Sequence, residues 1–214
     1  MVDELIDIYD ENMNFLGQAP IRQAHTEGLW HKSIHCWIIR HAEDNDDKVW
    51  LQIRSKNKFN SPKLLDVAAA GHLKAGEDSS VCARKVKEEL GLKIENEHLN
   101  KLFTAKHVSE KNGYKNYEFN PTYLYETQKT LKDVKLDPSQ ADGIFEVSLK
   151  ELKNLFNGKV TQVFTDGYIL GENNRKIPHT GSVGIKDFVA HDIKYYQKAL
   201  QTIENYFDGR KKQH

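Results

Sequence analysis

Residues 71–92 read GHLKAGEDSSVCARKVKEELGL, and this stretch decides the fold. Two glycines bracket a tight loop, and Asp78 or Ser79 follows as a helix N-cap, because either side chain can accept from the free N–H groups of a first turn. Gly91 lies where a residue in the left-handed conformation commonly ends a helix. The apolar stripe between cap and stop is Val81, Val86 and Leu90. The pattern predicts a loop, a helix and a glycine stop.

The opposite face of this helix is charged. Arg84 and Glu88 are four residues apart, so they share a face and can form an ion pair. Glu89 follows directly and adds a second carboxylate. Adjacent carboxylates are oxygen ligands of the kind that Mg²⁺ or Mn²⁺ takes, with water and substrate phosphates in the other positions. The alternative is a solvated charged face of a surface helix.

The spacing of these residues resembles the Nudix box, in which Gly, five residues, Glu, seven residues and Arg-Glu-U-x-Glu-Glu-x-Gly-U follow one another, with U aliphatic. Gly71, Glu77, Arg84, Glu88, Glu89 and Gly91 match it. Two features depart from the box. Six residues instead of seven separate Glu77 from Arg84, and Lys85 occupies the position of a metal-binding glutamate. The resemblance implies a Nudix fold, whereas an ammonium that repels a divalent ion weakens the implied activity.

Composition restricts the class of protein. The 214 residues carry 31 Lys+Arg and 31 Asp+Glu, so nothing favours nucleic acid as a partner. Cys36 and Cys82 are too few for a disulfide framework and fit a reducing cytoplasm. The acidic start MVDELIDIYD is unlike a signal peptide. No run approaches the about 20 apolar residues of a membrane span.

Strands alternating with two helices indicate an α/β (α+β) protein with a mixed sheet sandwiched between helices. One of those helices covers residues 149–156, with Ser148 as its cap. We assign residues 1–157 to the Nudix domain and 158–214 to a C-terminal extension of strands and a closing helix, about 187–207, packed on the same domain. The alternative for that helix is a lid or a homodimer contact.

Outside the box, the chain resembles one branch of the family, isopentenyl diphosphate isomerase and the hydrolases like it, over roughly residues 4–150. The matching segments are Leu29-Trp-His31, Leu51-Gln-Ile-Arg54, Lys58, Leu65-Asp66 and Ala70-Gly71-His72. In the isomerase three histidines and two glutamates hold a divalent metal. The corresponding residues here are His25, His31, His72 and Glu118, with Asn116 in place of the second glutamate. Imidazoles with a carboxylate suit a transition metal. The alternative is a set of hydrogen-bonded loop histidines.

The same branch implies a phosphate-binding set. Arg54 and Lys58 match positions that bind the diphosphate, and Gln52 shares the face of Arg54 by the period of two along a strand. The alternative for both cations is ordinary solvated charge. The isomerase also needs a cysteine at the position of Ala70, and a methyl group cannot move a proton.

These resemblances imply a cytoplasmic, metal-dependent Nudix hydrolase that cleaves a small nucleoside or organic diphosphate by water attack on phosphorus. Glu88 and Glu89 would hold Mg²⁺ or Mn²⁺, Arg84 would orient Glu88, and Glu77 or Glu118 would supply a further carboxylate or the base. A second divalent metal would lie at the histidines. The alternatives are the isomerase, disfavoured by Ala70, and a weakly active module that senses a diphosphate, which Lys85 favours.

Overall fold

A computed structural model describes residues 3–41, 46–78 and 81–211. Within these ranges the elements are β1 (Leu5–Tyr9), β2 (Phe15–Pro20), α1 (Ile21–Glu27), β3 (Trp30–Arg40), β4 (Lys48–Arg54), β5 (Leu65–Val67), β6 (Ala69–His72), α2 (Val81–Leu90), β7 (Leu99–Lys111), β8 (Tyr114–Thr127), β9 (Ala141–Ser148), α3 (Leu149–Phe156), β10 (Val163–Leu170), β11 (Lys176–Val183) and α4 (Ile193–Lys211).

The described strands form one mixed sheet in the order β11-β10-β9-β4-β3-β1-β2. Four strands lie off this path: β5 pairs with β4, β6 and β8 pair with β3, and β7 pairs with β8. The β3–β8 pairing is parallel and places His31 beside Glu118. The other pairings are antiparallel. The predicted mixed sheet between helices is confirmed.

Strand β3 shows how the sheet divides two cores. Its even positions Ile34, Cys36 and Ile38 pack with the box helix α2, whereas Trp37 and Ile39 pack in the second core with α3 and α4. Because side chains alternate along a strand, His31, Ser33 and His35 lie on the same face as Trp37. This face is apolar where α4 covers it, at Trp37 and Ile39, and polar nearer the start of β3.

The box helix forms as the sequence predicts, from Val81 to Leu90. Gly91 has φ +68° and its N–H donates to the Lys87 carbonyl at 3.0 Å, the expected left-handed stop. Arg84 donates to Glu88, also as predicted. The proposed cap at Ser79 lies outside the described residues.

The C-terminal segment continues the sheet and covers one of its cores. Strand β10 pairs with β9, and α4 packs against α3. The start predicted for the closing helix, near residue 187, is wrong, because α4 begins at Ile193. Phe188 instead lies in extended chain bridged to Leu65 and is buried against Phe156 and Tyr196.

Helix α3 begins where the sequence predicts, whereas helix α1 was not predicted. The Ser148 hydroxyl accepts from the Glu151 N–H at 3.3 Å and begins α3 as expected. Helix α1 was not predicted, since its seven residues IRQAHTE lack an apolar stripe and a side-chain cap.

No helix in the part of the chain that the structure describes is long and apolar enough to cross a membrane.

Candidate metal and phosphate site

Three imidazoles from three elements meet at one point. His25 comes from α1, His31 from β3 and His72 from β6, and their candidate ligand atoms lie within 4.8 Å of one another. The ring centroids of His25 lie 4.8 Å from His31 and 5.2 Å from His72. The Nε2 atom of each ring is buried without a hydrogen-bond partner. Three buried, unpaired nitrogens that face one another fit a metal ligand set.

Hydrogen bonds to backbone carbonyls fix the tautomer of two of these rings. The Nδ1 of His31 lies 2.8 Å from the Leu29 carbonyl, and that of His25 lies 3.1 Å from the Lys115 carbonyl. Since a carbonyl only accepts, each Nδ1 carries the proton and each Nε2 offers a lone pair. Burial lowers the pKa of His25 to about 4, with the nearby His72 and His31 adding to the effect. The ring is therefore neutral at pH 7, the form that binds a metal.

Glu118 on β8 completes the cluster. Its Oε1 lies 3.2 Å from His72 Nε2 and 3.7 Å from His31 Nε2. Burial alone would raise the pKa of Glu118, but the two histidines outweigh it and hold that pKa well below its usual range. The Asn116 Oδ1 is a further buried oxygen without a partner. The donor set of three nitrogens and a carboxylate fits a transition metal or Zn²⁺.

Beside this cluster lies a cavity of about 110 Å³, hereafter the inner cavity. It has room for several waters or one phosphate group, and is smaller than the about 300 Å³ at which drug-sized pockets begin. Polar and charged groups dominate its wall: Ser33, His35, Arg54, Lys58, Asn60, Ser61, Asp66, Ala70, Gly71, His72, His107, Tyr114, Asn116, Glu118, Val189 and His191.

Arg54 and Lys58 both reach the inner cavity, although each already has partners. Arg54 donates from Nη1 to Asp66 at 2.8 Å and from Nε and Nη2 to the Asn60 carbonyl. Lys58 donates to Gln140, and burial lowers its pKa. Their phosphate-binding role stays a prediction, for which the structure supplies the position and the charge.

The box carboxylates diverge. Glu88 accepts from Arg84, which also donates to Glu77. Glu89 is 3% exposed and accepts from Gln52 Nε2 at 3.0 Å and from the Ala70 N–H at 3.3 Å. Burial raises the pKa of Glu89 to about 7 against these hydrogen bonds. Gln52, predicted to bind substrate beside Arg54, thus donates a hydrogen bond to Glu89, and its substrate-binding role stays a prediction. Metal binding by Glu88 and Glu89 also stays a prediction.

Lys85 lies over the box loop and is largely shielded from solvent. Its Nζ is 3.7 Å from Glu88 Oε2, and a Cβ on Gly71 would meet its Cε at 3.1 Å. The side chain is 20% exposed. The ammonium thus occupies space between the box helix and β6, where it balances the charge of Glu88.

The structure adds a second group of imidazoles that the sequence did not single out: His35, His107 and His191. The His191 ring centroid lies 5.1 Å from that of His35 and 4.8 Å from that of His107. The sequence could have indicated two of the three. His35 lies an even number of residues from His31 and therefore on the same face of β3, and the two-residue turn Asn112-Gly113 sets His107 opposite Glu118. The position of His191 could not be predicted, because this residue lies in irregular chain.

A wider groove opens next to the histidine cluster. It has a volume of about 660 Å³ and a largely apolar lining, formed by Ile21, Arg22, His25, Thr26, Phe59, His72, Asn112, Gly113 and Tyr114. Tyr114 stacks on His25 at 4.3 Å, and the exposed Phe59 ring lies 5.3 Å from Tyr114. The groove, hereafter the outer groove, can hold an organic group larger than the inner cavity admits.

Comparison with known proteins places the chain. The NUDIX domain model matches residues 31–164. An uncharacterized Nudix hydrolase of Clostridium acetobutylicum is 28% identical over 95% of this chain and 98% of its own length. An isopentenyl-diphosphate Delta-isomerase of Serratia proteamaculans is 28% identical over 44% of this chain and 51% of its own length. The crystal structure of DR0079 from Deinococcus radiodurans superposes with a TM-score of 0.55 at 18% identity, over 72% of this chain and 90% of that one.

Proposed function

The chain belongs to the NUDIX domain family, and from this premise we propose that it is a metal-dependent hydrolase of a small nucleoside or organic diphosphate. The observation that supports this most is the set of unpaired Nε2 atoms of His25, His31 and His72 beside an inner cavity lined by Arg54 and Lys58. Such a wall suits a phosphate group, and the outer groove suits the organic part of the same molecule.

The residues divide the work by their surroundings. Three imidazoles and Glu118 would hold a resident divalent metal, and such an ion would supply positive charge for the phosphoryl oxygens and a more acidic water. The box carboxylates Glu88 and Glu89 would hold Mg²⁺ or Mn²⁺, for which carboxylate oxygens are suitable ligands. Arg54 and Lys58 bind the phosphate and orient it.

Glu89 is the best placed group to accept a proton from the attacking water. Its carboxylate bonds to the Ala70 N–H, and Ala70 lines the inner cavity. In the metal-free protein its pKa is about 7, a value that suits a base near neutral pH, and Glu89 keeps this role where Glu88 alone holds the ion. Glu118 is the weaker candidate, because two histidines hold it ionised and leave it little affinity for a proton.

The test is a phosphate-release screen with Mg²⁺ and Mn²⁺ over nucleotide sugars, dinucleotides, nucleoside triphosphates and prenyl diphosphates. We expect one class to be hydrolysed and the double variant His25→Gln, His72→Gln to lose both activity and bound metal. His179→Gln, at an exposed histidine of β11, is the matched control and should keep both. If no substrate releases phosphate, or if the double variant hydrolyses it as fast as the wild type, the proposal is wrong.

A further inference from the structure

The segment between β11 and α4 enters the wall of the inner cavity and is held there. The Val189 N–H donates to the Leu65 carbonyl at 2.9 Å, and the Val189 carbonyl accepts from the Tyr196 hydroxyl at 2.8 Å. The His191 N–H donates to the same carbonyl at 2.7 Å. These bonds fix the position of His191 relative to the sheet.

The imidazole of His191 has an unused nitrogen. Its Nε2 is buried without a hydrogen-bond partner, its side chain is 8% exposed, and it lines the inner cavity. Asp66 Oδ1 lies 3.9 Å from this nitrogen, too far for a hydrogen bond. A buried polar atom without a partner costs free energy, so this nitrogen marks a place where a ligand can bond.

The groups around His191 decide where a proton resides. The titratable and charged side chains that face it or adjoin its partner are His35 on β3, Arg54 on β4, Asp66 on β5, His107 on β7, and Tyr195 and Tyr196 on α4. Burial raises the pKa of both tyrosines, so they stay neutral.

The two other imidazoles stay neutral as well. Burial lowers the pKa of His35 to about 4 and also lowers that of His107, and in both cases His191 adds to the effect. Burial would raise the pKa of Asp66, but His191 and Arg54 hold it well below its usual range. An ionised carboxylate therefore faces His191, 3.9 Å from its Nε2, and favours positive charge at this place.

We propose that His191 is a proton donor of the hydrolytic site: as an imidazolium it bonds the phosphate in the inner cavity and gives its proton to the departing oxygen. The inference rests on the proposed function and adds to it a residue from outside the stretch that the NUDIX domain model matches, residues 31–164. Asp66 is a positioning residue that keeps the imidazolium favourable.

The water oxygen bonds to phosphorus while the bridging P–O bond breaks and leaves its electron pair on the bridging oxygen. That oxygen takes the proton of His191, and the proton lost by the water goes to the carboxylate of Glu89, the proposed base. Solvent then returns one proton to His191 and removes one from the carboxylate, so that one water is consumed in each turnover.

The first test measures proton uptake and does not need activity. Methylenediphosphonate, a diphosphate that cannot be hydrolysed, is titrated calorimetrically into the Mn²⁺-supplied protein near pH 7, in two buffers that differ in ionisation enthalpy. We expect the wild type to take up more protons per bound ligand than His191→Gln or His191→Phe. The phenylalanine variant retains a ring among the neighbouring aromatic groups, so the test survives if the glutamine variant misfolds.

His179→Gln is the matched control and should take up as many protons as the wild type. Equal uptake by the wild type and both His191 variants overturns the role of His191 and leaves the proposed function standing. No binding by the wild type overturns both, because the inner cavity would then not be a phosphate site.

A second test uses the hydrolysis that the proposed function predicts. A departing bridging oxygen needs a proton and a bridging sulfur hardly does, so a lost proton donor slows only the oxygen substrate strongly. We expect His191→Phe to lose about 100-fold or more in kcat on the diphosphate identified by the screen and only a few-fold on its analogue with sulfur in the bridging position. Equal losses on both would assign His191 a structural role and overturn the inference.

Discussion

Replacing Glu89 by glutamine should stabilise the metal-free protein at alkaline pH. The carboxylate is 3% exposed, and burial raises its pKa from 4.5 to about 7 against the hydrogen bond of Gln52. The folded state therefore holds a proton that the unfolded state has already released. Stability falls as pH rises from about 4.5 to about 7 and then levels off, because the folded protein binds more protons over that window.

The size of the effect follows from the shift. One pKa unit corresponds to about 1.4 kcal/mol, so the shift of Glu89 costs about 3 kcal/mol above pH 7. An amide can replace the carboxyl at little loss, since it still accepts from Gln52 and from the Ala70 N–H. The Oε1 of the same Gln52 is buried without a partner and is an acceptor for the new amide N–H group. We expect Glu89→Gln to recover about 2–3 kcal/mol at pH 8, or about 5–10 °C in Tm for a chain of this size.

The assay is urea unfolding in EDTA at pH 4.5 and pH 8, with Glu88→Gln as the matched control. The difference between the two pH values isolates the charge, because any cost of the amide itself is common to both. Glu88 is 46% exposed, and although burial would raise its pKa, Arg84 outweighs this and lowers it. Its replacement should therefore lose stability at pH 8, by less than about 1 kcal/mol. A Glu89→Gln variant that gains nothing between pH 4.5 and pH 8 would refute the argument.

Three other predictions test the box, the cavity wall and the helix stop. Lys85→Glu should tighten Mn²⁺ binding measured by calorimetry, because it removes an ammonium 3.7 Å from Glu88; unchanged affinity would mean that this position does not face the metal. Incubation with isopentenyl diphosphate should give no dimethylallyl diphosphate, because Ala70 lines the inner cavity where the isomerase needs a thiol, and product at an enzyme-like rate would contradict this. Gly91→Ala should lower the free energy of unfolding in urea by about 1–3 kcal/mol more than Gly113→Ala does. Both glycines have positive φ, but of the two only Gly91 has close neighbours for a new Cβ, the Lys135 Cβ at 2.9 Å and the Lys135 carbonyl oxygen at 3.0 Å. Equal losses would mean that backbone strain explains the whole effect.

Features that depend on residues close together in the sequence could be predicted, whereas contacts between distant segments could not. The box helix and its glycine stop depend on neighbouring residues, and both are confirmed. So is the cap at Ser148. The start of α4 was misplaced because the apolar residue Phe188 fits a helical stripe in the sequence, whereas in the fold it fills a space beside Leu65.

The histidine cluster likewise could not be predicted from patterns of neighbouring residues. His25, His31 and His72 were selected together only through a family resemblance, and the structure brings the three rings together. The second group of imidazoles depends on His191, which is 84 residues from His107 in the chain, as their numbers give. No local pattern encodes that contact. It forms because Val189 and Tyr196 fix the segment against β5.

Strand β3 carries both a core and a site, and one hydroxyl joins the two. Trp37 donates from Nε1 to the Tyr195 oxygen at 3.2 Å, and an indole nitrogen can only donate. The same Tyr195 oxygen lies 2.7 Å from His35 Nδ1, so this hydroxyl connects the buried tryptophan to the imidazole that lines the inner cavity.

The two groups of imidazoles differ in their hydrogen-bond partners as well as in place. His25 and His31 keep the proton on Nδ1 and offer lone pairs, the form that a metal requires. His35, on the same face of the same strand, has a tyrosine hydroxyl at its Nδ1, a group that both donates and accepts. The carbonyls of Leu29 and Lys115 therefore fix the tautomer only in the first group. The polar end of β3 thus offers the lone pair of His31 to a cation, and the inner cavity beside it offers Arg54 and Lys58 to an anion, which is the division that the proposed function requires.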